Sequence, residues 1–503
     1  MTPFDRLCSR FRRIAILEEA VGMLYWDTAA MMPPGAADGR SEQLATLREL
    51  AHAMLVAPET ADELAAAEAL APDEDPRRAM QLALMRRRWR RAVALPSALV
   101  AELSRARSRC ETAWRSARTE NDYAIVAPTL AALLDLVREE AAALGSALAL
   151  APYDALLDGY EPGLRAADCN RIFERLEEFL PALLDRVMAL QDEQPAPLSL
   201  AGPFPVERQA AFARELMANI GFDFDHGRLD TSAHPFCGGS PDDVRITTRY
   251  DEGDFLKAIM GVLHETGHAL YERGLPADLR RQPAGEARGM AVHESQSLVL
   301  EMQACRSREF TGWMAPRAEA AFGGTGDAWS GGNLHRLVTR VDRGLIRVDA
   351  NEIAYPLHVI LRFRLEQALL AGDLPVADLP GAWSDGMASM LGVRPADDRA
   401  GCLQDIHWYD GGFGYFPTYT LGAMMAAQLF AAAEAAEPDL RRHLGAGDFR
   451  PLVGWLRRHV HGHGALLSWD EILRRATGKP LDVAVFRRHL ERRYLDEHRP
   501  RTA

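Results

Sequence analysis

Lysine is nearly absent from this chain: of its 58 basic residues only Lys257 and Lys479 are lysines, and arginine supplies the rest. That bias matches a GC-rich coding sequence and implies no function. Positive charge is also outweighed. The formal net charge is −13, which argues against a nucleic-acid partner held by phosphate contacts. Cysteine is sparse: Cys8, Cys110, Cys169, Cys237, Cys305 and Cys402 are scattered, with no CxxC pair. A disulfide framework is not expected, and a reducing compartment is. No run reaches the ~18 consecutive apolar residues of a membrane span. The stretch MTPFDRLCSRFRRIAILEEA lacks an apolar core followed by a small-residue cleavage site. A cytoplasmic protein with no membrane or nucleic-acid partner is therefore expected. The serine-hydrolase order GxSxG is missing, since Gly238-Gly239-Ser240 does not supply it, and there is no GxGxxG or P-loop.

What the chain has in quantity is helix-forming sequence. Its 503 residues allow two to four domains or one large helical fold. The expectation is a mainly α, single-domain chain spanning 1–503, with a helical part over about 1–220 and a metal-site part over about 221–503. Residues 5–30 read as a helix reaching Tyr25-Trp26-Asp27, followed by a turn at Met32-Pro33-Pro34-Gly35. Residues 39–150 keep helical spacing, with turns at Ala71-Pro72-Asp73 and Leu95-Pro96-Ser97. Arg86, Arg87, Arg88, Arg90 and Arg91 read as a solvated or internally paired helix face. A break is expected from Pro152 to Gly163, after which helices resume through residue 218. Residues 221–253 change character. Their Gly, Pro and Asp content and the alternation Val244-Arg245-Ile246-Thr247 predict loops and a short strand or hairpin. From 255 onward the pattern is helical, with loops at 275–288, 323–332, 371–382 and 408–418.

The segment FLKAIMGVLHETGHALYERG, Phe255 to Gly274, carries the chemistry. His264 and His268 are four apart and share one helix face, so both imidazoles reach one ion. Glu265 sits about 100° round the helix, within reach of a water on that ion. With His264 as zero, Leu256, Ile259, Val262, Leu263, Ala269 and Leu270 cluster between roughly 140° and 280°. The helix should thus pack its back into a core and turn its histidines into a cleft.

The third ligand must come from elsewhere. HExxHxxGxxH would need Gly and His where Tyr271 and Gly274 stand. Glu294, in the helical stretch Gly289 to Ser297, completes two His and one carboxylate and leaves a position open for water. Glu286, His293 and Glu301 are weaker candidates. Such a site activates water and polarises a carbonyl, with Glu265 taking the proton and passing it to the leaving amine. Donors for the oxyanion are needed as well, and the aromatic loop from Gln404 to Tyr419 offers His407, Tyr415 and Tyr419.

Taken with other segments, these motifs resemble the Taq-type thermostable metallocarboxypeptidases, peptidase family M32. The matching stretches are His234-Pro235-Phe236, the DxRxT segment Asp243 to Thr247, His264 to His268, and His293-Glu294-Ser295-Gln296. Further on come Ile346 to Asn351, Gln404-Asp405-Ile406-His407-Trp408 and Gly414-Tyr415-Phe416-Pro417. Tyr25-Trp26-Asp27 and the stretch from Tyr153 to Gly163 also fit. One departure stands out: the family pattern IRxxAD ends here in Asn351, which keeps shape but loses charge.

The resemblance implies a helical fold with a deep central groove and one Zn²⁺ per subunit (Co²⁺ or Mn²⁺ as substitutes). It also implies a homodimer and broad removal of single residues from peptide C-termini. An alternative is an oligopeptidase or dipeptidase with the same site. A free C-terminal carboxylate calls for an arginine fork; Arg245 and Arg347 lie in family motifs, and an internal ion pair is the alternative for each. His234 and Tyr415 are further expected substrate contacts, and His407 and Tyr419 catalytic ones. His459-Val460-His461-Gly462-His463 would align three imidazoles on a strand, but in a helical region a structural or surface role is expected.

Overall fold

A computed structural model describes residues 1–70 and 75–497; the turn expected at Ala71-Pro72-Asp73 lies outside the described residues. The structure is mainly α-helical, as the spacing of apolar positions predicts, with one small sheet. The first helix, Pro3–Ala30, begins at a capping box in which Thr2 and Asp5 exchange side-chain-to-backbone hydrogen bonds of 2.8 and 3.2 Å. The break expected at Pro152 is instead a short helix, Pro152–Tyr160. Proline occupies its first turn, where the missing N–H has no intrahelical partner to lose.

The chain forms two compact units, each assembled from three separated stretches. The first comprises Met1–Ala92, Pro197–Val338 and Met425–Leu481; the second comprises Val93–Ala196, Thr339–Met424 and Asp482–Ala503.

In the first unit the expected hairpin is present, with a strand the sequence pattern did not reveal. β1 (Gly227–Thr231), β2 (Phe236–Ser240) and β3 (Asp243–Thr248) form a sheet of order β1-β3-β2. β2 and β3 are antiparallel, whereas β1 runs parallel to β3. The β1 segment GRLDT has no apolar alternation, which is why it escaped notice. Val244 and Ile246 are buried on one face of β3. Cys237 pairs with Ile246 in register on that face. Burial, then the charges of Glu265 and Glu272, push its thiol well up, so this face looks toward the Phe255–Gly274 helix. The other face carries Arg245 and Arg228, register partners whose guanidinium groups lie 4.4 and 5.1 Å from the ring centre of buried Trp26.

The Phe255–Gly274 helix is capped by Asp254, whose side chain accepts from the Lys257 N–H. Phe255 anchors its start in an aromatic core, 4.4 Å from Phe322, 5.0 Å from Phe204 and 5.8 Å from Trp329 between ring centres. The helix is more enclosed than its amphipathic pattern predicts, since Glu265, Thr266 and Gly267 are buried too. In the cluster Arg86 to Arg91, Arg86 and Arg88 are internally paired. Arg86 meets Glu68 at 2.6 Å, and Arg88 bridges Glu18 and Glu286 at 2.7 and 2.8 Å. Among the described residues no helix is long and apolar enough to cross a membrane.

Candidate active site

The two helices of the first unit that carry the candidate ligands touch through a glycine. A Cβ at Gly267 would lie 2.5 Å from the Gln296 carbonyl oxygen and 2.6 Å from the Ser297 Cα. Only glycine at this position lets the Phe255–Gly274 helix approach the Met290–Leu298 helix closely enough for Glu294 to face the histidines. His264, His268 and Glu294 then converge, each offering one ligand atom within 4.8 Å of the others. The Glu294 carboxylate stands 3.4 Å from His268 Nε2 and 3.7 Å from His264 Nε2. All three residues proposed from the sequence as ligands are thus brought together.

The opposite nitrogen of each imidazole is already engaged. His264 Nδ1 lies 3.0 Å from Glu301, whose other oxygen accepts from Arg306 at 2.5 Å. His268 Nδ1 lies 3.1 Å from the His293 carbonyl oxygen. These contacts leave Nε2 of each ring as the lone-pair donor. Glu301 sits in a π-helical stretch, Val299–Cys305, that continues the Glu294 helix, a distortion frequent at functional sites.

Electrostatics agree with a cation site. Burial pushes the Glu265 carboxyl up to about 7. Burial would also raise Glu294, but His264 and His268 outweigh it and bring it down to about 2. Burial would lower His264, yet the charge of Glu294 and the hydrogen bond to Glu301 raise it to about 10. Burial, then neighbouring His293, lower His268 to about 4. Glu265, Glu294 and Glu301 are all buried around two imidazoles, with Arg306 paired to Glu301. These carboxylates draw positive charge, which a proton on His264 can supply and which a divalent cation on two nitrogens and one carboxylate oxygen would supply in its place.

The Gln404–Tyr419 loop belongs to the second unit. His407 Nε2 is 3.1 Å from the Tyr419 hydroxyl, and the Tyr415 ring centre is 5.0 Å from that of Tyr419 and 4.9 Å from that of Tyr160. Burial lowers the His407 imidazole to about 4, so it is neutral at ordinary pH. The loop is held by Glu366, which is fully buried and accepts from the Trp408 indole (3.1 Å), the Tyr153 hydroxyl and the Gly414 N–H. Gly414 has φ +89°, and a Cβ there would sit 2.8 Å from the Leu157 nitrogen, so the turn requires glycine.

Burial pushes the Glu366 carboxyl from 4.5 up to about 7. The folded state therefore prefers the protonated form: its contribution is full below pH 4.5 and is lost as the pH rises through 7. Such a rise amounts to on the order of 3 kcal/mol. Glutamine can accept from Trp408 and Gly414 and donate to the Tyr153 oxygen. We expect the stability of Glu366→Gln relative to the native chain to grow by about 2–3 kcal/mol between pH 5 and pH 8. Urea midpoints at the two pH values measure this, and parallel pH profiles for the two proteins would refute it.

The arginines are placed differently from each other. Arg347 is buried and donates to Asp405 at 2.7 Å, while Arg362, fully buried, meets the other oxygen of Asp405 at 2.6 Å. Arg245 is paired with Asp243 at 2.8 Å on the sheet face turned away from the motif helix. The structure does not bring it together with His264, His268 and Glu294, because alternation along β3 sends Val244 and Ile246 to that side instead. His234 lies exposed in the connection between β1 and β2, where its carbonyl accepts from Ser232 at 2.6 Å.

The family described as "Carboxypeptidase Taq (M32) metallopeptidase" matches residues 6–494. The chain belongs to this family. It is 40% identical to "Thermostable carboxypeptidase 1" of Thermus thermophilus, over 98% of this chain and 99% of the relative. Against "Carboxypeptidase 1" of Bacillus subtilis the identity is 33%, over 96% of each chain. Among solved structures, metallocarboxypeptidase 1 of Trypanosoma cruzi superposes with a TM-score of 0.96 at 40% identity, covering 98% of this chain and 99% of that one. The M32 carboxypeptidase of Deinococcus radiodurans R1 gives 0.92 at 35% identity, covering 99% of both. The protein is thus an M32 metallocarboxypeptidase, a hydrolase of peptide bonds, and the family implies a metal ion.

In this M32 enzyme the departure at Asn351 has a local explanation. Its Oδ1 accepts from the N–H groups of Ile353 and Ala354 at the entry to the Ala354–Ala371 helix, and its Nδ2 donates to the Asp342 carbonyl at 2.6 Å. An ionised Asp could accept the first two bonds but not donate the third. Glu301, considered from sequence only as a weaker ligand, instead supports His264; its position seven residues after Glu294, two helical turns on, was the available signal. Glu272, Arg306 and Glu366 carry no signal in the sequence, since half-buried and buried carboxylates and their partners leave no local pattern. In the HVHGH segment, His459 ends one helix and His461 to His463 form a 3₁₀ turn. His461 is buried with Nε2 3.0 Å from Gln296 Oε1, a structural role on the back of the Glu294 helix.

Proposed function

We propose that this M32 enzyme is a zinc-dependent carboxypeptidase that releases single residues from peptide C-termini with broad preference. The observation that carries the reading is the convergence of His264 Nε2, His268 Nε2 and a Glu294 oxygen, beside Glu265 on the same helix. Two imidazoles and one carboxylate suit zinc, and cobalt or manganese can serve on the same donors. A cation bound there supplies Lewis-acid polarisation of the scissile carbonyl and acidifies water. Glu265 is the general base: its buried carboxylate takes a proton from the attacking water and returns it to the departing amine. His407 and Tyr419 are assigned as catalytic donors to the developing oxyanion. Arg347 is assigned to the substrate α-carboxylate, with Asp405 orienting its fork, and Tyr415 and His234 to the peptide. Arg245 keeps only a packing assignment against Trp26. We assign a cytoplasmic homodimer and a single metallocarboxypeptidase domain over 1–503.

Mass spectrometry of a peptide digested with and without chelator tests the reading. A ladder of products shortened by single C-terminal residues is expected. Chelation should abolish it, zinc should restore it, and a C-terminally amidated peptide should remain intact. Cleavage of the amidated peptide, or release of dipeptides, would favour an oligopeptidase or dipeptidase instead.

A further inference from the structure

Glu272 stands one helical turn beyond His268, as His268 stands one turn beyond His264, so all three lie on one stripe of the motif helix. His293, the residue before Glu294, fits against the last two members of that stripe. Its Nε2 is 2.9 Å from a Glu272 carboxylate oxygen, and its Nδ1 is 2.7 Å from His268 Nδ1. The same His268 nitrogen is 3.1 Å from the His293 carbonyl oxygen.

Donor and acceptor rules determine where the hydrogens go. An ionised Glu272 only accepts, so His293 Nε2 carries the hydrogen. The His293 carbonyl, 3.1 Å from His268 Nδ1, likewise only accepts, so His268 Nδ1 carries a hydrogen and His293 Nδ1 accepts it. Two bare nitrogens cannot share a 2.7 Å contact, so the hydrogen between the rings belongs to His268 Nδ1, where the His293 carbonyl accepts from it as well. His268 is left with its lone pair on Nε2, the nitrogen facing Glu294. His264 reaches the same state by a shorter route, directly through Glu301.

We propose that Glu272 and His293 are positioning residues that act in series on His268, selecting the tautomer and ring orientation in which it holds the cation. The inference rests on the reading of His264, His268 and Glu294 as ligands. It adds that the two ligand histidines are supported unequally: one by a carboxylate in contact, the other by a carboxylate one ring away.

A double-mutant cycle on the full-length protein tests the series arrangement, with the zinc dissociation constant read by competition against a chromophoric chelator. In His293→Asn the side-chain oxygen takes the place of Nδ1 and still accepts from His268, but the link to Glu272 is cut. Glu272→Gln should weaken zinc binding about 10-fold in the native background, the low end of the range for such supporting groups. In the His293→Asn background the same change should cost less than about 2-fold. The melting temperature of the metal-free protein should be the same for all four. His264→Ala is the reference, expected to abolish tight binding. Equal losses in both backgrounds would mean that Glu272 acts only through its charge and would overturn the proposal, as would no loss in the native background. Melting temperatures that fall in step with affinity would reduce the residues to a structural role. Unchanged binding by His264→Ala would overturn the ligand assignment itself, and the positioning proposal with it. Intact reference behaviour with no coupling would overturn the positioning proposal alone.

Discussion

Replacing Glu265 by glutamine should lower kcat on a peptide substrate by about 10²- to 10⁴-fold while leaving the metal bound. Glutamine preserves the volume and one acceptor oxygen but cannot take a proton. Glu265 is not a member of the converging ligand set, which is His264, His268 and Glu294, so its loss as a base should be separable from loss of the cation. The carboxyl is buried, and burial pushes it up to about 7, which places it in the range where a base works efficiently near neutral pH. The measurement pairs kcat with the metal content of the same preparation. Full chelator-sensitive activity in Glu265→Gln would sink the mechanism, and loss of the metal would make Glu265 a ligand rather than a base.

Asp405→Ala should destabilise the protein by on the order of 3–5 kcal/mol. Asp405 is the shared acceptor of Arg347 and Arg362, whose side chains are 6% and 0% exposed. Burial would raise its carboxyl, but the two guanidinium groups hold it well below the usual carboxylate range. Removing it leaves two largely or fully buried guanidinium groups without their shared counter-charge. Gln404 keeps one bond to each residue, from the Arg347 N–H and the Arg362 guanidinium, which is too little to replace a charge. Adding Arg362→Met should recover part of the loss, because methionine fills the space without a charge to desolvate. The urea midpoint reads both effects. A loss below about 1 kcal/mol for Asp405→Ala would show that solvent enters the cluster and that the arginines are not held as the geometry indicates.

The converging set was legible because each part leaves a local trace. His264 and His268 are separated by one helical turn, and Glu294 lies on the next amphipathic stretch. The helix carrying His264 was also legible, except that its polar side is buried against the Glu294 helix through Gly267. Pro152 misled, since a proline reads alike as a break and as the first residue of a helix. Arg245, read from sequence as a carboxylate contact or an internal ion pair, is a different case: it is paired with Asp243. DxRxT gives a strand alternation, but nothing in the alternation says which face of the sheet the motif helix covers.

By itself the sequence determined the helical class, the three residues that converge and the resemblance to a family, because periodicity and motif spacing act over a few residues. Only the tertiary structure decided what surrounds them. It put Glu301 and the Glu272–His293 pair on the Nδ1 sides of His264 and His268, and it joined Arg347 to Arg362 through Asp405. It also assigned Arg245 to Trp26. These partners are brought together from distant parts of the chain, and a buried charge is satisfied by whichever group the fold delivers to it. No spacing rule in the chain records that delivery.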